Sequence, residues 1–542
     1  PRSVVVDTSV PADLARRPRT AWGRTVAYEA HVGHLTARHP LVASEDRGGY
    51  RGLASDPVVD HLLRLGVTAV ELLPVQHFVS EGALVARGRQ NVWGYNPLAW
   101  SAAHAGYASA GGDPITELRG AVDTLHRAGI EVWLDVVFNH TCEGSLGSGP
   151  IVSLRGFDNA AMYRLLPGPH GLVDDDVTGC GNAVDARSPI VRRLIRESLV
   201  HWVTHYGIDG FRFDLASTLA RGDDGFAADA PLFAELAAEP DLEGTKLVAE
   251  PWDAGQGGYA LGGFATPWRE WSDRFRDDVR DLWRGRTSWA VAAGRLTGSA
   301  DYFRRADREP TSGINAVATH DGFTVADLVS YDAPTDGGHG QRSWAAGFEG
   351  PTADAGASGD RRRRQRALLG TVCLAQGVPQ ILSGDEIGRS QGGQANGYTL
   401  DPHDWGLAWL QADWDLAAWV AAAVALRHRH PVLRRTSWLD PGDPRLHWFA
   451  ETGAEMDDGE WPSAGTGALQ VLLDGSDLDD DRILLVLVPH REATTVVLPE
   501  GTWRTALDAR WDRPPRQGDE EAVSGAIEVV GPTLVVLVDS SP

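Results

Sequence analysis

The sequence predicts an α/β protein: a closed (β/α)8 TIM barrel of parallel strands, followed by an antiparallel β-sandwich domain. Up to about residue 430, short runs of apolar, β-branched residues alternate with segments of helical spacing. Strands that are buried on both faces and joined by helices are typical of parallel sheets. Beyond that point, short alternating strands follow one another, which is typical of antiparallel sheets. An open, doubly wound sheet is the alternative for the first part.

Eight strands can be identified in the predicted barrel, seven of them clearly and one weakly. The clear strands are 26–32, 69–75, 131–138, 210–215, 247–252, 314–319 and 378–382, and the weak one is 268–271. Helices are predicted at 56–65, 115–128, 189–205, 360–375 and 417–429. Pro57 lies near the start of the first helix, and Gly129 directly follows the second. A proline at the start and a glycine past the end are favoured by helix backbone chemistry.

The spacing of these elements predicts the domain organisation. Residues 1–21 are polar and contain several Pro and Arg residues, so we interpret them as a linker. The barrel is expected over 22–432, with a Gly/Asp/Pro-rich inserted subdomain at 141–188 after the third strand. A β domain is expected over 433–542. Examples of its predicted strands are 445–450, 469–473, 483–488, 494–498 and 533–538.

Composition excludes several classes of partner. The formal net charge is −24, which argues against a nucleic acid or an anionic membrane, because both attract basic surfaces. No apolar run is long enough to cross a membrane. Three cysteines cannot form a disulfide framework, so we expect a cytoplasmic protein. The 20 Trp residues suit a packed core and sugar stacking equally well. The sequence does not indicate an oligomeric state.

Polar residues follow four of the predicted barrel strands at the points where the strands end. These segments are 135–140 (DVVFNH), 210–214 (GFRFD), 249–252 (AEPW) and 319–321 (THD). Catalytic groups of TIM barrels come from the carboxyl ends of several strands. Because carboxylates, histidines and an arginine recur at four such ends, we interpret them as one site and not as separate helix caps.

The reaction type follows from what this set contains. Phosphate-binding glycine loops and a nucleophilic serine elbow are absent from the sequence. His201 and His205 have metal-ligand spacing on a helix, but Trp202 stands where a metalloprotease has Glu, so we predict neither a metal nor a cofactor. Several carboxylates without a cofactor indicate glycoside cleavage, which needs a nucleophile and a proton donor.

Local sequence assigns the two roles. Arg212 lies two residues before Asp214 on the same strand, so both side chains point to one face, and the guanidinium favours an ionised Asp214. Glu250 is flanked by Pro251 and Trp252, and these apolar neighbours are expected to raise its pKa. Asp214 is therefore predicted to be the nucleophile and Glu250 the general acid.

The four strand-end segments resemble, in order and separation, the four motif regions of the α-amylase clan of glycoside hydrolases (family 13). Further segments are similar to its isoamylase and glycogen-debranching branch. They are 28–32 (YEAHV), 93–97 (WGYNP), 178–182 (TGCGN), 250–253 (EPWD) and 383–386 (SGDE). The resemblance to bacterial glycogen debranching enzymes covers residues 19–391 and is weaker in the C-terminal β domain.

The resemblance implies a retaining hydrolase that cleaves α-1,6-glucosidic branch linkages of glycogen or limit dextrin without a cofactor. Asp214, Glu250 and Asp321 match its nucleophile, its acid/base and the third carboxylate, which holds the hydroxyls of the reacting sugar. The residues that match substrate contacts are Tyr95, His140, Arg212, His320 and Trp252, with Tyr95 as the platform under the sugar ring. Asp135 and Asn139 match bracing positions.

The chain departs from the family in two places. Family members usually carry a carbohydrate-binding β domain before the barrel, and we expect this domain to be missing from the chain. Residues 394–401 read QANGYTLD, where the family usually has an Asn-rich stretch with a Gln-Asp pair. This segment is expected to border the leaving-group side of the site, so it bears on branch-length preference.

Two other functions remain open from the sequence. An α-1,4-acting amylase or a glucanotransferase of the same clan uses the same three carboxylates, and the isoamylase-like segments favour α-1,6 cleavage over these. A non-catalytic glucan-binding protein is the third possibility. The presence of Asp214, Glu250 and Asp321 together counts against it.

Overall fold

In a computed structural model of the chain, eight parallel strands close into a barrel. The structure describes residues 4–539 except 8, 224, 306, 441, 458, 460, 462–466 and 516–521. The strands are β1 (Ala27–Ala30), β2 (Ala69–Leu72), β3 (Glu131–Val136), β4 (Gly210–Phe213), β5 (Lys246–Ala249), β6 (Arg269–Trp271), β7 (Gly313–Asn315) and β8 (Val378–Leu382). Each strand pairs with the next one along the chain, and β8 pairs with β1. The predicted closed barrel is confirmed, and the weak strand at 268–271 is β6.

Helices cover the outside of the barrel. They are α1 (Asp56–Leu65), α2 (Pro114–Arg127), α3 (Pro189–Tyr206), α4 (Pro231–Ala237), α5 (Asp273–Trp283), α6 (Trp289–Leu296), α7 (Ala355–Leu374) and α8 (Trp414–Arg429). The β5–β6 connection over residues 250–268, all of them described, contains no helix, whereas α5, α6 and a short helix lie between β6 and β7. The long β5–β6 loop leaves its residues free to line the carboxyl end of the barrel.

Helix ends follow the sequence signals. α3 begins at Pro189 and ends before Gly207, whose φ of 78° is the left-handed conformation that glycine tolerates. α7 begins five residues before the predicted start of 360, because the Asp354 side chain accepts a hydrogen bond from the backbone of Ala357 and caps the helix.

Shorter elements lie in the loops. The segment after β3 holds a helix (Arg155–Met162) and a hairpin (Leu165–Gly168 with Gly171–Asp174). The other two-stranded sheets pair Gln76–Phe78 with Pro97–Ala103 and Arg221–Gly222 with Gly225–Phe226. The short helices are Val32–Thr36, Tyr50–Leu53, Gly82–Val85, Ala216–Leu219, Ala300–Phe303, Val325–Leu328 and Pro402–Trp405. The 3-10 turns are Leu14–Arg16, Trp22–Arg24, Ala105–Tyr107, Pro240–Leu242, Pro310–Ser312, Asp385–Ile387, Trp409–Gln411, Pro431–Arg434 and Ser476–Leu478.

An antiparallel sandwich follows α8, as predicted. Its strands are β9 (Leu446–Phe449), β10 (Leu469–Leu473), β11 (Arg482–Val488), β12 (Ala493–Val497), β13 (Trp503–Asp508), β14 (Ala522–Val523), β15 (Ala526–Val530) and β16 (Thr533–Asp539). Six of them form one sheet in the order β9-β10-β11-β16-β13-β14, and β12 pairs with β15. The domain limits at residues 22, 432 and 433 stay a prediction. Across the described residues, no helix is both long and apolar enough to span a membrane.

The sandwich packs on the barrel through α7 and α8. Trp419 of α8 is fully buried, and its indole N–H donates to the backbone oxygen of Asp508 at 2.9 Å. A Cβ added to Gly370 of α7 would lie 2.8 Å from both Trp419 and Leu534, so the α7 backbone sits directly against the sandwich. Through this contact the barrel and the sandwich share one apolar core.

We expect Trp419→Ala to lower the free energy of unfolding by about 3–5 kcal/mol, because it opens a cavity at the junction and removes the bond to Asp508. Thermal unfolding measures this loss. Leu410→Ala is the matched control, since Leu410 is 77% exposed and its truncation should change stability by less than about 0.5 kcal/mol. Equal melting temperatures for the two variants would contradict the packing described.

Candidate active site

A cavity of about 690 Å3 opens at the carboxyl ends of the barrel strands. Seven of the eight predicted site residues line it: Tyr95, His140, Asp214, Glu250, Trp252, His320 and Asp321. The eighth, Arg212, lies buried on β4 beneath the cavity floor. The structure therefore brings the predicted residues of four strand ends into one place.

Arg212 is the hub of the cavity floor. Its Nη1 donates to both carboxylate oxygens of Asp135 at 2.9 Å and to Asp214 Oδ1 at 3.3 Å. Its Nη2 lies 3.1 Å from Glu250 Oε1. The guanidinium stacks 4.0 Å from the ring of Trp271 on β6. One buried cation thus contacts three carboxyl groups and fixes their relative positions.

Asp214 is held by donors on two sides. Besides Arg212, Asn139 Nδ2 donates to Asp214 Oδ2 at 2.7 Å and to its backbone oxygen at 2.8 Å. The Asp214 side chain retains 14% of its exposure, which faces the cavity it lines. These hydrogen bonds fix the orientation of the Asp214 carboxylate. The predicted bracing role of Asn139 fits this contact.

Glu250 begins the loop after β5 and lies beside Asp214. The backbone N–H of Leu215 donates to Glu250 Oε2 at 2.6 Å. Burial raises the pKa of Glu250 to about 7, and the charge of Asp214 adds to this, although Arg212 acts in the opposite direction. The sequence predicted a raised pKa from apolar neighbours. In the structure the cause is burial next to a second carboxylate.

Tyr95 lies between Asp135 and His320. Its hydroxyl donates a short hydrogen bond to Asp135 Oδ2. Its ring stacks on the His320 imidazole with 4.9 Å between centroids and 24° between planes. Burial raises the pKa of Asp135 to about 6, while the Arg212 charge and the hydrogen bond from Tyr95 act in the opposite direction. Tyr95 braces the floor and also lines the cavity.

His140 has a hydrogen-bond acceptor at each ring nitrogen. Nδ1 lies 2.6 Å from Asn139 Oδ1 and Nε2 lies 3.0 Å from the backbone oxygen of Tyr95. Two acceptors require both nitrogens to carry protons, which is the imidazolium form. Burial opposes this form, but the neighbouring Cys180 and Asp214 raise the His140 pKa to about 9.

His320 is positioned by Glu29, a fully buried residue of β1. The two carboxylate oxygens of Glu29 accept from the backbone N–H of His320 at 3.0 Å and contact its Nδ1 at 2.7 Å. Burial disfavours the charged imidazole, but the bond and charge of Glu29 outweigh this and raise the His320 pKa. The carboxylate therefore locks both the backbone and the ring of His320.

Asp321 and Trp252 also line the cavity, Asp321 exposed and Trp252 half-buried. The Asp321 carboxylate is exposed and makes no hydrogen bond with any residue the structure describes, so it is free to accept from a ligand hydroxyl. Its backbone forms a bridge with Asn396, and Tyr398 lines the cavity beside it. The divergent segment 394–401 therefore forms part of the cavity wall.

Sequence reasoning assigned no role to Glu29 or Trp271. Glu29 carried a usable signal, because a carboxylate inside a buried apolar strand needs a partner. Trp271 carried none, since its contact with Arg212 depends on how β6 is placed in the closed barrel.

One group of residues within the described chain has the geometry to hold a metal ion: His430, Asp480 and Asp481. It lies outside the cavity lining. His430 Nδ1 and Asp480 Oδ1 already pair at 2.8 Å, and the backbone N–H of Val432 donates to Asp480 Oδ2 at 2.8 Å. These contacts explain the cluster as a brace between α8 and the sandwich.

An eight-stranded barrel, a donor-held carboxylate on one strand end and a buried carboxyl of raised pKa beside it define a glycoside hydrolase of the α-amylase type. No protein-family model matches the chain. The chain is 40% identical to the glycogen debranching enzymes of Salmonella paratyphi A and Salmonella typhimurium over 540 residues, which is 97% of this chain and 79% of each relative. The chain belongs to the glycogen debranching enzyme family.

Solved structures agree with this fold. Pullulanase type I from Bacillus subtilis str. 168, solved with maltose, has a TM-score of 0.75 and 25% identity, covering 100% of this chain and 73% of its own. Pullulanase from Anoxybacillus sp. LM18-11, solved with maltotetraose, has a TM-score of 0.74 and 23% identity, with coverage of 96% and 72%. The barrel-plus-sandwich architecture is thus that of the pullulanases.

We expect kcat/KM to fall as pH rises through about 7, because a glycosidic oxygen needs a proton donor and the Glu250 carboxyl loses its proton there. The carboxyl is protonated below this pH and ionised above it, so the loss lies on the alkaline side. A pH–rate profile on a branched glucan measures it. Activity that rises steadily from pH 6 to pH 9 would contradict the assignment.

We expect Tyr95→Phe to lower kcat/KM by about tenfold, because it keeps the stacking on His320 but removes the donor to Asp135. Tyr95→Ala removes both contacts and should cost about a hundredfold or more. Steady-state kinetics of the two variants tests this order. A Phe variant equal to wild type would show that the hydroxyl contact is dispensable and that stacking alone matters.

Proposed function

We propose that this glycoside hydrolase cleaves α-1,6-glucosidic branch linkages of glycogen or limit dextrin with retention of configuration. The observation that carries the proposal is the sharing of Arg212 between Asp214 and Glu250, because it places a held carboxylate and a buried proton donor side by side. Membership of the glycogen debranching enzyme family supports the α-1,6 linkage.

In the proposed first step, Asp214 attacks the anomeric carbon while Glu250 gives its proton to the leaving oxygen of the branch linkage. Asn139 and Arg212 hold one oxygen of Asp214 each, which orients the nucleophile. Arg212 and the Leu215 N–H stabilise the Glu250 carboxylate once its proton has gone. Retaining enzymes use such a pair at about 5–5.5 Å separation.

In the second step, Glu250 takes a proton from water, and the water oxygen replaces Asp214 on the anomeric carbon. Asp321 is proposed to accept hydrogen bonds from the hydroxyls of the reacting sugar. The sugar contacts are proposed to come from Tyr95, His140, His320 and Trp252, all at the cavity surface. Arg212 supports these residues from below and is a positioning residue.

The substrate is proposed to be an α-glucan. The two pullulanases solved with maltose and maltotetraose support this, because the chain shares their barrel. A cytoplasmic location is proposed because Cys142, Cys180 and Cys373 are all unpaired, as in a reducing compartment.

Incubation with glycogen limit dextrin, pullulan and linear amylose, followed by chain-length analysis, tests the linkage. We expect short linear chains to be released from the limit dextrin and amylose to remain intact. Shortening of amylose would instead favour an α-1,4-acting amylase, and lengthened chains would favour a glucanotransferase. A protein that binds these glucans but releases nothing would be the non-catalytic alternative.

Asp214→Asn and Glu250→Gln should each lower kcat by several orders of magnitude while the chain stays folded, because each supplies one half of the displacement. Asp404→Asn is the matched control, since Asp404 is exposed and lies outside the cavity. Folded Asp214 or Glu250 variants that keep a tenth of wild-type turnover would overturn the role assignment.

A further inference from the structure

A second, smaller cavity adjoins the proposed active site. It measures about 150 Å3 and shares Arg276 and Asp321 with the larger cavity. Its other charged and polar side chains are Asp277, Arg280, Gln341 and Arg342. We name it the arginine cavity. It therefore adjoins the place where Asp321 is proposed to contact the sugar.

Arg280 of α5 is the unusual member of this cavity. It is 95% buried, yet it forms no ion pair with a carboxylate among the described residues. Its Nε donates to the backbone oxygen of Val317 at 2.8 Å and its Nη1 to that of Gln341 at 2.9 Å. These two bonds fix the plane of the guanidinium and leave Nη2 without a protein partner beside the cavity. Burial lowers the pKa of Arg280 to about 9, and the charges of Arg276 and Arg342 add to this, although Asp277 acts in the opposite direction.

Arg427 shows how the same fold satisfies a buried arginine that is purely structural. Its Nη1 donates to the backbone oxygens of Cys373, Ala375 and Leu433, and its Nη2 to that of Gly377. Both terminal nitrogens are therefore used by the protein. Arg280 uses only one of them, so its second nitrogen is available to a ligand.

The other charges of the arginine cavity largely cancel. Asp277 is held by Arg276 at 2.8 Å and by Arg342 at 3.3 Å. Arg342 also pairs with Asp281. The remaining lining carboxylate, that of Asp321, lies at the part shared with the larger cavity. Arg280 has no carboxylate within ion-pair distance among the described residues, which makes an anion a complementary ligand for its free Nη2.

We propose that the arginine cavity binds a phosphate-sized oxyanion through Arg280, either free inorganic phosphate or the phosphoryl group of a phosphorylated glucan. The N–H donors along the edge of an arginine guanidinium match the spacing of phosphate oxygens. The resulting charge-assisted hydrogen bonds are among the strongest in proteins. The volume of 150 Å3 exceeds the ~30 Å3 share of a water molecule several times over, so it accommodates a five-atom anion. Asp321 accepts hydroxyl donors while Arg280 takes the anion, and a sugar phosphate offers both. The phosphorylated-glucan form rests on the proposed function, whereas the binding of inorganic phosphate does not.

Thermal unfolding of the full chain in increasing inorganic phosphate tests the site, with sodium chloride at equal ionic strength as reference. A ligand of the native state raises the melting temperature in a saturable way. We expect this for the wild type, and for Arg286→Gln, which removes the same charge from an exposed position outside the cavity. Equal effects of phosphate and chloride on the wild type would overturn the proposal.

Arg280→Gln should weaken phosphate binding by about tenfold or more. Should this variant fail to fold, Arg280→Lys keeps the charge but lacks the planar edge, and it should also bind phosphate more weakly than the wild type. Wild-type affinity in a folded Arg280 variant would overturn the proposal.

A kinetic comparison distinguishes the two sources of the anion. Phosphorylated dextrin and the same dextrin after phosphatase treatment are compared by kcat/KM. Preference for the phosphorylated form that disappears in Arg280→Gln assigns the site to the glucan ester, while no preference together with saturable stabilisation assigns it to free phosphate. Absence of both effects in the wild type rejects the site. Failure to hydrolyse unphosphorylated limit dextrin would instead refute the proposed function.

Discussion

The structure of the site depends on one buried guanidinium. Arg212 contacts Asp135, Asp214 and Glu250 at once, inside a barrel where carboxylates brought together without a cation would repel one another and take up protons. Removing one partner of a buried ion pair is costly because the remaining charges stay buried. The stacking of Arg212 on Trp271 fixes the cation on its remaining side. Because Arg212 sits on β4 and its partners on β3, β4 and the end of β5, the register of these three strands determines the geometry of the cavity floor.

The same arrangement gives two similar carboxyl groups different properties. Asp214 accepts hydrogen bonds from Asn139 and Arg212, which hold its carboxylate in place. Burial beside Asp214 raises the pKa of Glu250 to about 7, although Arg212 and the hydrogen bond from the Leu215 backbone act in the opposite direction. A buried carboxyl of raised pKa beside a carboxylate held by hydrogen bonds is suited to serve as acid next to a nucleophile. A further buried carboxylate, that of Glu29, positions His320 in the cavity lining.

Much of this arrangement could be predicted from the sequence, because local patterns carry it. Arg212 and Asp214 are two residues apart on a strand, so their shared face follows from strand geometry alone. Contacts that depend on the closed barrel could not be predicted: Trp271 under Arg212, and the hydroxyl of Tyr95 on Asp135. In the fold, strands β13 and β15 were not identified from the sequence. β13 mixes Arg, Thr and Asp with its apolar residues, and β15 is mostly exposed. Helix α5 was missed because most of its residues are charged and its few apolar residues lie on one face.

The central claim is that Asp214 and Glu250, bridged by Arg212, carry out a double displacement. The anomeric configuration of the first product, followed by proton NMR during cleavage of a branched limit dextrin, tests this most directly. A double displacement predicts that the newly formed reducing ends appear first as the α-anomer and then mutarotate. Initial accumulation of the β-anomer would show single displacement by water and would contradict the assignment of Asp214 as nucleophile.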